Sequence, residues 1–135
     1  MDFFFNFWYD NFGDIMECIF CKIVKGEIPS YRVYEDEKII AFLDINPNSP
    51  GHTLIIPKEH TVDLMSISDE TLFYIMDKAR DIAKLIVDKM NAQGFSISQN
   101  NGICQDVKHF HVHIIPKYDE KVNLKVEEVY EKITH

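Results

Sequence analysis

Two hydrophobic rhythms divide the chain. Between positions 32 and 57 apolar residues come in short runs: Arg32-Val33-Tyr34-Glu35, then Ile39-Ile40-Ala41-Phe42-Leu43-Asp44-Ile45, then Thr53-Leu54-Ile55-Ile56-Pro57. Asp36-Glu37-Lys38 and the breaker-rich stretch from Asn46 to Gly51 separate them. Runs of that length, bounded by turn formers and closed by proline, predict a meander of strands that opens with a hairpin. After Ser68 the period changes. Leu72, Ile75, Met76, Ala79, Ile82, Ala83, Ile86 and Met90 recur at three- and four-residue spacing. That stripe predicts an amphipathic helix over 69–92, with Ser68 as N-cap and Gly94 as its stop. Phe73 and Leu85 lie off the stripe and predict a second buried face. Phe95-Ser96-Ile97-Ser98-Gln99 alternates as a strand, and Asn100-Asn101-Gly102 reads as a turn. Positions 108–115 read as a last strand ended by Pro116, and 126–133 as a short terminal helix. The sum is an α+β domain: an antiparallel sheet of about five strands with one long helix packed on it.

Composition narrows what such a domain can do. The chain has 135 residues, with 14 Lys and Arg against 22 Asp and Glu, a formal net charge of −8. One compact domain fits that length. The acidic balance disfavours a nucleic-acid partner but permits one small anion at a local site. The three cysteines, Cys18, Cys21 and Cys104, are an odd set for a secreted disulfide framework and suit a reducing, cytoplasmic setting. Residues 1–16 are strongly aromatic at their start but too short to cross a bilayer, so no membrane partner is expected. They read as a poorly ordered extension, with an aromatic anchor as the competing reading. Positions 17–118 form the domain and 119–135 a tail.

The chemistry concentrates in His109-Phe110-His111-Val112-His113-Ile114-Ile115. On a strand the three imidazoles share one face and the apolar residues the other, with successive rings about 6.6 Å apart. Such an array can flank a phosphate-sized group. A three-histidine metal site is the rival, awkward on a flat strand. Cys18-Ile19-Phe20-Cys21 is readable as a metal or a redox pair, although the strand and helix that frame a thioredoxin-type motif are not evident around it.

The motif His-φ-His-φ-His-φ-φ, with φ apolar, resembles the signature of the histidine triad (HIT) nucleotide hydrolases and transferases. The likeness extends to Cys18–Ser30, to Ala41-Phe42-Leu43-Asp44-Ile45 and to Gly51-His52-Thr53-Leu54-Ile55-Ile56-Pro57-Lys58-Glu59-His60, in colinear order. It implies a HIT-like fold whose sheet extends across a homodimer. It also implies cleavage of a nucleoside monophosphate from its leaving group through a covalent nucleotidyl-histidine. His111 takes the nucleophile position and His113, His109 and His52 the supporting ones. Phe20, Ile23, Phe42 and Ile45 would sandwich a purine base, and Asp44 would accept from the ribose hydroxyls. Asn100, Gln105 and Asp106 fall where the family meets phosphate and leaving group. Cys18, Cys21, His60 and His109 would hold one structural zinc ion per chain. One departure stands out: many relatives carry Gly-Gln-Ser where this chain reads Cys104-Gln105-Asp106, and a carboxylate cannot donate as a hydroxyl does. A purine nucleoside phosphoramidase is the leading expectation. A dinucleoside polyphosphate hydrolase, a nucleotide-binding protein with weak turnover and a structural zinc module are the alternatives.

Overall fold

A computed structural model describes residues 18–135. The expectations for the aromatic extension, residues 1–16, lie outside the described residues. In chain order the elements are α1 (Ile19–Val24), β1 (Arg32–Glu35), β2 (Ile39–Leu43), β3 (Thr53–Pro57), α2 (Asp69–Met90), β4 (Gly94–Gln99), a 3-10 turn at Gly102–Cys104, β5 (Val112–Lys117) and α3 (Val126–Thr134). The five strands form one antiparallel sheet in the order β1-β2-β3-β5-β4. The α+β expectation therefore holds.

β2 and β3 read as continuous apolar runs because both of their faces are covered. Ile39, Ala41 and Leu43 face a main core with Ile55, Phe110, Val112 and Ile114, closed by Ile75, Ala79, Ile82, Ala83, Ile86 and Met90 of α2. Ile40 and Phe42 face the opposite side, with Leu54, Ile56, Cys18, Phe20, Cys21 and Ile23. This second cluster is where α1 lies. α1 is missing from the sequence reading because six residues are too few to show a helical period. Cys18 is its N-cap, and its Sγ accepts from the Cys21 N–H at 3.3 Å.

Several boundaries move. β2 ends at Leu43, so Ile45 lies beyond it, 70% exposed. α2 ends at Asn91 in the left-handed region, φ 53°, and Gly94 opens β4 instead of stopping the helix. Leu85 packs against the main core, whereas Phe73 is 68% exposed, so the two do not share a second buried face. β5 begins at Val112, later than expected, and runs through Pro116. The Pro116 carbonyl accepts from Ser49 Oγ at 2.6 Å, so this residue's polar edge turns away from β4 and the missing N–H breaks no bond to it. α3 puts Val129 and Ile133 into the main core, which makes the residues read as a tail part of the packed body.

Gly51 sits just before β3 at φ 94°. A Cβ there would lie 3.1 Å from Pro116 and 3.3 Å from Ile86 and Met90. The left-handed backbone and the crowding both require glycine, and together they set the entry of His52 into the sheet.

Candidate active site and metal centre

The alternation expected of the triad is present. Phe110, Val112 and Ile114 are fully buried in the main core, while His109 and His111 both pack edge-on against Phe20 on the other side. The flat spacing is not. His109 and His111 precede the strand, and the rings of His111 and His113 approach to 4.9 Å between centroids. Leaving the ladder frees the backbone to bring the rings together.

His109 is wholly buried and both of its nitrogens are engaged. Nε2 donates to the Pro57 carbonyl at 2.8 Å, because a carbonyl can only accept. The lone pair therefore lies on Nδ1, which faces Cys18 Sγ at 3.4 Å and Cys21 Sγ at 3.6 Å. His60 Nδ1 lies 3.2 Å from Cys21 Sγ. The donor atoms of Cys18, Cys21, His60 and His109 all lie within 4.8 Å of one another, and both thiols are free. Tetrahedral zinc would place its sulfur and nitrogen ligands about 3.5 Å apart, so this set fits. Burial first and the neighbouring Cys18 sulfur second push the Cys21 thiol up to about 12. A metal ion held by these four side chains would favour the thiolates instead. The same arrangement leaves His109 no nitrogen for a phosphate, which corrects the picture of three rings lined along one.

His111 has its Nδ1–H directed at the His109 carbonyl, 2.8 Å away, which leaves the lone pair on Nε2. A second chain of bonds fixes His113. The Asn48 backbone N–H donates to His52 Nδ1 at 3.1 Å. The proton of neutral His52 is thus on Nε2, which donates to His113 Nδ1 at 2.9 Å. Neutral His113 then carries its proton on Nε2, a buried atom without a hydrogen-bond partner among the described residues. Both rings favour the neutral form. Burial, then the charges of His111 and His52, bring His113 down to about 4. Burial also lowers His52, against the opposing pull of Asp44.

The remaining expected residues divide. Phe20, Ile23 and Phe42 are buried together, with Phe20 edge-on to Phe42 at 5.5 Å and to His111 at 5.1 Å. Ile45 stands apart from this cluster. Asp44 lies 3.8 Å from His52 Nε2 and accepts from the Asn46 N–H. Asn100 is half-buried just after β4, Gln105 is buried and Asp106 exposed. Sequence reasoning missed the backbone groups of Asn48 and Pro57, which set two tautomers. Backbone donors and acceptors leave no mark in residue identity. Among the described residues no helix is long and apolar enough to cross a membrane.

Comparison with known proteins places these features in a family. The HIT domain model matches residues 25–120. The chain is 48% identical over 111 residues to an adenosine 5′-monophosphoramidase of Saccharomyces cerevisiae, covering 81% of this chain and 68% of that one. It superposes on a HIT-like protein of Bartonella henselae with a TM-score of 0.81 and 41% identity, covering 87% of this chain and 95% of that one. A zinc-bound histidine triad protein of Mycobacterium smegmatis matches with a TM-score of 0.74 and 34% identity, over 88% and 91% of the two chains.

Proposed function

This chain belongs to the HIT family, and from that premise we propose that it is a hydrolase that releases AMP from phosphoramidates. Dinucleoside polyphosphates are the second substrate class. The observation that carries the reading is the bond from His111 Nδ1–H to the His109 carbonyl, which turns the lone pair of Nε2 outward as a nucleophile. In the first step Nε2 bonds to phosphorus and the bond to the leaving group breaks. In the second, water takes the place of His111 and AMP departs. His113 Nε2–H, held ready by His52, donates to the departing atom as charge builds on it. Phe20, Ile23 and Phe42, with Ile45 at the rim, hold the base, and Asp44 holds the ribose. Asn100 and Gln105 orient the phosphate. His109 acts as a positioning residue, through its carbonyl.

Cys18, Cys21, His60 and His109 hold one zinc ion per chain in this reading, and a four-ligand shell of that kind supplies structure, not chemistry. The reading includes a homodimer formed across β4 and α2. Phe95 and Ile97 on the sheet edge are 46% and 40% exposed, and Phe73 and Met76 of the helix are exposed as well.

The test is to incubate the purified protein with adenosine 5′-phosphoramidate and, separately, with diadenosine tetraphosphate. AMP release from the first is expected; AMP from neither overturns the reading.

A further inference from the structure

The loop that leads into β3 sets the site through its backbone. Ser49, Pro50, Gly51 and His52 form a turn closed by the bond from the His52 N–H to the Ser49 carbonyl at 3.0 Å. Proline in the second place and Gly51 at φ 94° in the third make it a type II turn. Asn48, one residue before the turn, supplies the N–H that sets the tautomer of His52. Residues 45–48 are exposed, so core packing does not hold that donor in place.

Two hydroxyls tie this turn to the end of β5. Ser49 Oγ donates to the Pro116 carbonyl and Tyr118 Oη donates to the Pro50 carbonyl, each at 2.6 Å. The second bond falls on a sensitive group. The peptide between Pro50 and Gly51 is the one that turns over between a type II and a type I turn, and its carbonyl is the one that Tyr118 holds. The backbone around Tyr118 is itself fixed by Gln93. The Gln93 N–H donates to the Lys117 carbonyl at 2.9 Å, and the Asp119 N–H donates to Gln93 Oε1 at 3.0 Å. The Tyr118 ring packs against the main core, and burial pushes its phenol above the ordinary value, so it remains a donor at neutral pH. A turn held at both Ser49 and Pro50 keeps the Asn48 N–H on His52 Nδ1, and the bond from His52 Nε2 to His113 Nδ1 follows.

We propose that Tyr118 and Ser49 are positioning residues of the site: their hydroxyls hold the turn before β3 so that the proton of His113 stays on Nε2. The inference rests on the hydrolase reading, in which that proton meets the departing atom. It adds two residues that act only through backbone carbonyls, one of them at the far end of β5.

The experiment compares wild type with Ser49→Ala, Tyr118→Phe and the double variant. Each substitution removes a hydroxyl and keeps the rest of the side chain's packing. Two measurements are made. Nitrogen-15 NMR of the imidazoles at neutral pH, where burial favours the uncharged form of His52 and His113, reads which ring nitrogen carries the proton. Steady-state kinetics on adenosine 5′-phosphoramidate separates kcat from KM. Wild type should show both rings protonated on Nε2. The double variant should show His52 and His113 divided between two tautomers, with kcat lower by about tenfold and KM within twofold, the signature of a displaced reacting group and not of lost binding. Each single variant should fall between. Wild-type tautomers in the double variant overturn the assignment whatever happens to Tm or rate, and so does an unchanged kcat beside altered tautomers. A wild type that hydrolyses neither adenosine 5′-phosphoramidate nor diadenosine tetraphosphate overturns the hydrolase reading and the catalytic half of this inference, while the ring signals still decide whether the two hydroxyls hold His52.

Discussion

His52 and His113 share a single hydrogen bond, Nε2 to Nδ1 at 2.9 Å, and through it the backbone N–H of Asn48 decides where the proton of His113 resides. Replacing His52 with Phe keeps a ring but removes the donor, so His113 is free to place its proton on either nitrogen. The expected result is a fall in kcat of about 10–100-fold with KM little changed, the usual scale for losing a group that orients a reacting residue. Steady-state kinetics on adenosine 5′-phosphoramidate checks this, and a kcat within twofold of wild type would show that the relay is dispensable.

His111→Ala removes the attacking nitrogen itself. Turnover should drop by about 10³-fold or more while AMP still binds, because the base and ribose contacts lie elsewhere. Calorimetry with AMP, run beside the kinetics, separates the two. A variant that keeps a tenth of the wild-type rate excludes a covalent route through this residue.

Metal-ligand candidates and proposed catalysis meet at His109, whose ring faces the thiols while its carbonyl accepts a hydrogen bond from His111 Nδ1–H. Protein expressed with zinc should carry close to one equivalent per chain by atomic absorption. Cys18→Ser combined with Cys21→Ser should lose the metal and lower Tm. Phe20 lies between those cysteines and packs on His111, so the same variant should also raise KM. Unchanged metal content in the double variant would remove these four side chains as the ligand set.

Acid should destabilise the fold through the buried imidazoles. His113 titrates near 4 in the folded chain and near its ordinary 6.5 when unfolded. A depressed folded value means that the unfolded chain binds the proton first. The contribution is fully present above about pH 6.5 and is lost as pH falls towards 4. Tm should therefore decline across that window, and His113→Gln should flatten the decline. A wild-type Tm that is level from pH 7 to pH 4.5 would contradict the buried neutral state.

Assembly is the last expectation. Light scattering should give a mass near twice 15.9 kDa at micromolar concentration. Phe95→Lys, which charges the sheet edge, should shift the mass to one chain. A wild-type monomer that persists on concentration would rule out pairing through β4.

Most of the fold was legible because long, regular burial writes itself into residue order. The α2 stripe and the two-sided runs of β2 and β3 could hardly fold otherwise. The errors fall where local packing decides. α1 is a single short helix whose residues answer to the cysteine cluster and not to a period. Asn91 takes the left-handed cap that Gly94 was expected to supply. The side chains of the site were identifiable by type, through the triad and the cysteine pair. Their geometry was not, since the approach of His111 to His113 depends on where the strand begins, and two tautomers hang on the peptide groups of Asn48 and Pro57.

The sheet order has a consequence for how the protein is made. β5, the last strand synthesised, is an interior one, between β3 and β4. Until it arrives β4 has no neighbour, and His52, just before β3, lacks a partner that lies more than sixty residues further along. Closing that sheet is a distant contact of the kind that slows folding. A chain that stops short of β5 lacks His113, so the hydrogen bond by which His52 fixes that ring cannot form. If the hydrolase reading is right, a ribosome-stalled fragment ending before Val112 should be inert, since it lacks both His113 and the strand that closes the sheet.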